Sequence, residues 1–136
     1  MISIPLKTDN ETGAFILRLS LGVMWVAHAG LKWFTFTIPG FAGWLESIGF
    51  SPLFAWPVFL VELIGGLMIL TGFYARYASL ILIPVMAVAM YTHLPNGWVH
   101  VSAGGGWEYP LFLIMASIVH VLNGDGKLTI LPKPAL

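Results

Sequence analysis

A single acid in an apolar run frames the chemistry open to this sequence. Glu62 sits at the middle of the stretch from Pro52 to Gly72, the longest apolar run in the chain. An ionised carboxylate at the centre of a bilayer costs roughly 2.5 to 3.5 kcal/mol on insertion scales, so the chain must offer it a cation, a proton donor or a water-filled pocket. The first apolar stretch carries suitable partners. At about 100° per residue, Arg18, Trp25, His28 and Lys32 fall within an arc of about 80°, a polar stripe on an otherwise greasy helix. Lipid would reject that face, and it is predicted to turn inward toward Glu62. Arg18 and Lys32, each about 10 Å from the helix centre, have snorkelling to opposite interfaces as an alternative. His28 lies about one turn from the midplane and lacks that reach.

Two further groups join the cluster by depth. His93 closes the third apolar stretch and Glu108 opens the fourth, so both lie toward the end of the bundle that holds Lys32. Lys32 then has two possible partners, Glu62 and Glu108. A salt bridge to either would act as a polar plug that fixes helix register. The competing use of such a graded set of acids, histidines and a lysine is a proton path or a polar-headgroup site. Glu108 has a purely structural reading too, since an acid is favoured at a helix N-terminus. Met86, Met90 and His93 lie within about 60° of one another. Such a stripe is read as core filling, and no metal site is expected.

Composition confines these groups to a membrane protein. The chain has 136 residues, 58% hydrophobic and 9% charged, with a mean hydropathy of +0.88; that is too little polar surface to coat a soluble domain. Six basic and six acidic residues cancel, which excludes a field able to hold nucleic acid. There is no cysteine, so disulfides and thiol redox chemistry are absent and any electron chemistry needs a borrowed cofactor or partner.

The positioning elements follow from periodicity and breakers. An all-α fold is predicted: a single domain over 1–136, an integral four-helix transmembrane bundle with helices at about 13–36, 52–72, 76–93 and 107–122. Residues 1–12 read as a cytoplasmic leader ending in an N-cap at Asn10 or Thr12. Between the first two helices, Pro39 and Gly40 break the chain, and Phe41, Trp44, Leu45 and Ile48 predict a short interfacial helix, either a lid over the bundle mouth or an aromatic anchor. Gly65 and Gly66 allow a neighbouring backbone to approach closely beside Glu62. Pro84 is a tolerated kink. The glycine-rich loop 94–106 reads as a surface turn that dips toward the bundle mouth, His120 as an interfacial residue, and 127–136 as a short tail. Basic residues Lys7, Arg18, Arg76, Lys127 and Lys133 gather at one end, which places both termini in the cytoplasm of an inner-membrane protein.

Several segments together resemble one family. Arg18-Leu-Ser-Leu-Gly22, His28-Ala-Gly-Leu-Lys32, Glu62-Leu-Ile-Gly-Gly66, Gly72-Phe-Tyr-Ala-Arg76 and Gly105-Gly-Trp-Glu-Tyr-Pro110 are similar to the DoxX family of small four-helix membrane proteins, over about 14–127. That superfamily includes the membrane subunit of thiosulfate:quinone oxidoreductase, MauE-like proteins and proteins associated with membrane oxidoreductase complexes. The resemblance implies a bundle and an accessory or quinone-interacting role. No additional soluble domain of the sort that would bind thiosulfate is read in these residues, so that substrate is not expected.

The functional expectation is a quinone-interacting accessory subunit whose pocket opens to the outer side. Glu62, His28, Lys32, His93 and Glu108 are the candidate proton-handling residues, and Trp25, Gly66 and Trp107 the candidates to line the headgroup site. No cofactor is built in; quinone is the expected ligand. Expected partners are the lipid bilayer, a membrane or periplasmic redox protein and a second copy of the chain. The alternative is a non-catalytic assembly factor whose Gly65-Gly66 face docks a partner helix. Transport is a third use, but without a visible inverted repeat it would need a dimer.

Overall fold

A computed structural model describes residues 7–131. The leader up to residue 6 and the tail beyond residue 131, Lys133 included, lie outside the described residues. Among the described residues the chain is helical and contains no strand. The elements are α1 (Asn10–Gly30), α2 (Ile38–Ser47), α3 (Ala55–Thr71), α4 (Ala75–His93) and α5 (Glu108–Asn123). Three helical stretches are long and apolar enough to cross a membrane: Asn10–Thr35, Pro52–Thr71 and Ala75–Asn96. α5 is a shorter apolar helix of 16 residues.

Local chemistry sets each boundary. The N-cap of α1 is Asp9 rather than Asn10 or Thr12, because its carboxylate accepts from both the backbone N–H and the hydroxyl of Thr12. The far end of α1 widens into a π-helical turn, Leu31–Thr35, a distortion that recurs at functional sites because it re-aims side chains. Pro39 and Gly40 do not separate two elements as expected. They lie in the first turn of α2, where a proline lacking its N–H is tolerated, and Thr37 accepts from the Gly40 N–H. Thr37 itself has φ 62° and ψ 156°, a region that disfavours any residue with a Cβ. The chain therefore turns sharply there to lay α2 back over the bundle.

Glycines let the long helices touch. A Cβ on Gly22 would lie 2.6 Å from Leu70 Cγ, and one on Gly65 would lie 2.8 Å from Leu82 Cδ1. Gly66 faces Trp25 Cβ and the Val26 backbone at 3.0 Å. The Gly65-Gly66 face is thus occupied within the chain, by α4 and α1, and is not free to dock a partner helix. The core divides in two. One cluster, around Leu21, Trp25, Ile69, Leu82 and Leu113, joins the long helices. The other, built from Ala29, Ile38, Phe41, Leu45, Ala55 and Phe59, seats α2 on the ends of α1 and α3. Of the four residues predicted to form the apolar face of α2, Phe41 and Leu45 are buried while Trp44 and Ile48 remain exposed.

Candidate functional site: two polar clusters at opposite ends

At the end covered by α2, the inward stripe of α1 meets the acid of α3. Lys32 Nζ donates to Glu62 Oε2 at 2.7 Å, with both side chains largely buried. The π-helical turn carries Lys32 into this position, and Phe41 of α2 closes over it, the ammonium lying 5.0 Å from the ring centroid. Lys32 therefore pairs with Glu62 and not with Glu108. One turn back along α1, His28 Nε2 shares a 2.8 Å hydrogen bond with the Tyr109 hydroxyl, and the two rings stack at 5.7 Å.

Glu108 and His93 stand apart from this pair of pairs. Glu108 Oε1 accepts from the His100 backbone N–H at 2.8 Å and from His100 Nδ1 at 2.7 Å. It thus ties the 94–107 loop to the start of α5 rather than facing Lys32. His93 Nδ1 donates to the Ala89 carbonyl at 2.7 Å, which leaves Nε2 facing Gly105. Asn96 holds the carbonyls of Gly104 and Gly105, and Trp98 packs edge-on against Trp107 at 4.5 Å. The loop is a fastened surface structure, and the five proton-handling candidates form three separate groups instead of one pocket.

The candidate headgroup-lining residues divide likewise. Trp25 is fully buried and its indole Nε1 is the buried side-chain nitrogen that finds no hydrogen-bond partner among the described residues. Gly66 is filled against Trp25 and Val26, with no room for a ligand. Trp107 remains half-buried behind Trp98. Open space lies on another face. A cleft of about 570 Å³ runs from Trp98, His100 and Glu108 past Tyr109 to Phe112 and Met115. Tyr109, which the sequence offered only as one letter of a shared segment, is the residue that both lines this cleft and reaches the interior through His28.

The opposite end holds a cluster of another kind. Arg18 is fully buried, and its guanidinium donates to five backbone carbonyls: Ile69, Leu70, Asp125, Lys127 and Leu128, at 2.8 to 2.9 Å. Two of these are acceptors in the last turn of α3, where helix geometry leaves carbonyls without intrahelical partners. Arg18 therefore does not snorkel; it pins the segment after α5 against α1 and α3. His120 is fully buried rather than interfacial. Its Nε2 donates to Asp125 Oδ1 at 3.0 Å, which leaves Nδ1 to accept from Ser79 at 2.7 Å. At the rim, Lys127 bonds Asp9 and Thr12. Those contacts and the Thr12 cap hold the Asp9 carboxyl well below the usual carboxylate range, the Thr12 hydrogen bonds being the larger cause.

Helices α1 to α4, which supply most of both clusters, also carry a family signature, since the sequence model of DoxX matches residues 13–95, more than half the chain and all of α1 to α4 but the first turn of α1. The chain belongs to the DoxX family. It has no match among curated proteins or among solved structures. Family membership and the long apolar helices make this DoxX chain a membrane protein. The match ends before the Gly105 to Pro110 segment, so the cleft and Tyr109 lie outside the part that defines the family here.

Proposed function

We propose that this DoxX protein is a four-pass accessory or quinone-interacting subunit of a membrane oxidoreductase system, placed in the inner membrane with both termini cytoplasmic. Of the five basic residues among the described residues, Lys32 alone belongs to the α2 end, and it is neutralised by Glu62; the excess of cations at the other end favours the cytoplasm for the termini. α5 serves as the fourth crossing. Its 16 residues reach about 24 Å, short of the roughly 30 Å hydrocarbon core, and the Trp98–Trp107 pair at its start suits an interfacial anchor.

One observation carries the quinone reading: Tyr109, at the wall of an open cleft, is hydrogen-bonded to His28, one turn from the Lys32–Glu62 pair. A bound quinone would supply two-electron, two-proton chemistry, with electrons coming from a partner protein. The chain's own groups would orient the headgroup and hold protons. Tyr109 would wall the headgroup, His28 holds the Tyr109 hydroxyl and can exchange a proton with it, and Lys32–Glu62 keeps a charged pair beside His28. Titrating the purified protein with decylubiquinone tests this directly. Saturable binding that weakens in His28→Ala is expected; no binding to the wild-type protein, or equal binding to wild type, Glu62→Gln and His28→Ala, would remove the proposal.

A scaffold role is the second reading, favoured by how completely the ion pair and the Arg18 cage are satisfied within the chain. Because the Gly65-Gly66 face is occupied internally, a partner would have to dock elsewhere. Loss of a partner's redox activity in Tyr109→Phe, with the complex still assembled, would count against it.

A further inference from the structure

The cleft beside α5 has a form of its own, independent of the buried pairs. Its upper part is polar and aromatic: Trp98, His100, Glu108 and Tyr109. Below these, Phe112 and Met115 continue down the side of α5 that the bundle leaves uncovered, 71% and 52% exposed. A helix advances about 1.5 Å per residue, so the step from Glu108 to Met115 carries the groove about 10 Å from the headgroup level into the hydrocarbon. The depression is thus open sideways, toward acyl chains, as well as at its mouth.

From this shape and charge we infer that the cleft is a lateral binding site for a neutral, ring-headed, single-tailed amphiphile that enters from the bilayer. This rests on the quinone reading and gives that ligand its place and route. Charge argues against an anionic headgroup, because no lysine or arginine among the described residues lines the cleft, and Glu108 Oε1 is already taken up by the His100 backbone N–H and Nδ1 at 2.8 and 2.7 Å rather than open to a cationic one. A ring is favoured by the aromatic walls, which offer faces and edges for offset packing. A tail is favoured by the uncovered Phe112–Met115 arm. The volume of about 570 Å³ falls within the range of small-molecule sites and takes a headgroup plus the first part of a chain. Tyr109 is the reading group, since it lines the cleft and the hydrogen bond of its hydroxyl to His28 fixes its ring.

Two probes and three variants, in lipid nanodiscs, test this. Decylubiquinone and its tail-less analogue 2,3-dimethoxy-5-methylbenzoquinone separate head from tail. Met115→Trp fills the apolar arm, and Leu19→Trp, on the lipid-facing side of α1 at 41% exposure, controls for added bulk. The wild-type protein is expected to bind decylubiquinone at least tenfold more tightly than the tail-less probe. Met115→Trp should lose about tenfold for decylubiquinone and little for the tail-less probe, Leu19→Trp should match wild type, and Tyr109→Phe should weaken both probes. If decylubiquinone binds but Met115→Trp leaves its affinity unchanged, the lateral site is wrong while the quinone reading stands. If wild type binds neither probe, both fall. A phospholipid retained by wild type, released by Met115→Trp and not displaced by decylubiquinone, overturns the assignment of the ligand.

Discussion

The two ends of this bundle bury charge by different means. At the terminal end the Arg18 guanidinium is met by backbone carbonyls from two segments, the last turn of α3 and the strap after α5. At the α2 end, side chain meets side chain: Lys32 with Glu62, His28 with Tyr109. Backbone acceptors belong to the fold, and they move only if helices or straps move. Side-chain pairs exchange protons and partners without unfolding anything. The first arrangement therefore acts as a clasp, and the second has the adjustability that ligand chemistry requires.

Breaking the clasp should have the largest effect. Arg18→Gln removes the charge and most of the five donated bonds, leaving buried carbonyls without partners. A loss of about 3 to 5 kcal/mol is expected, as for stripping one partner from a buried ionic group. Limited proteolysis should then cut after Asn123, because the strap from Asp125 to Leu128 loses its anchor. Intact thermal stability in Arg18→Gln would show that the strap is held by other contacts.

The α2 end should respond in a pairwise manner. Glu62→Gln leaves the Lys32 ammonium buried without its counter-charge and is expected to cost about 3 kcal/mol. Glu62→Gln combined with Lys32→Met should recover most of this, to within about 1 kcal/mol of wild type, since an ion pair replaced as a unit is often neutral. Thermal unfolding of the single and double variants measures the coupling. Equal losses in both would mean that the pair is a clasp like Arg18.

His28→Ala should lower stability by only about 1 kcal/mol, the net worth of one hydrogen bond plus its stacking. Its effect on ligand affinity should be greater than its effect on melting, which is the signature that separates the two ends. The smallest effect belongs to Asp9. Because its folded carboxyl titrates below the ordinary range, its contribution is fully present above the unfolded pKa and is lost as pH falls through the folded value. An acid titration of unfolding should show this dependence in wild type and lose it in Asp9→Asn, with the N-terminal turn of α1 fraying first.

How far the sequence disclosed this arrangement depended on the kind of partner involved. Lys32 and Glu62 were legible because opposite charges in two apolar runs have few other places to go. Arg18 was legible as inward-facing, yet its acceptors were not, since carbonyls carry no residue-type signal and three of them lie more than a hundred positions away. Glu108 misled through its position at a helix start, because the fold of the 94–107 loop decides that His100 arrives first. His120 looked interfacial for being near a helix end, and only the return of Asp125 beneath it explains its burial. The strained turn at Thr37 and the π-helical turn that aims Lys32 leave no mark in composition, because both are imposed by packing α2 over the bundle.

The measurement that bears most directly on the contrast between the ends is the shift in melting temperature produced by saturating decylubiquinone. A ligand that binds the folded state alone raises the melting point by mass action. Wild type should be stabilised, whereas Tyr109→Phe and His28→Ala, melting within a few degrees of wild type when free, should gain little. Equal stabilisation of all three proteins, or none in wild type, would contradict the account and leave the α2 end as a second clasp.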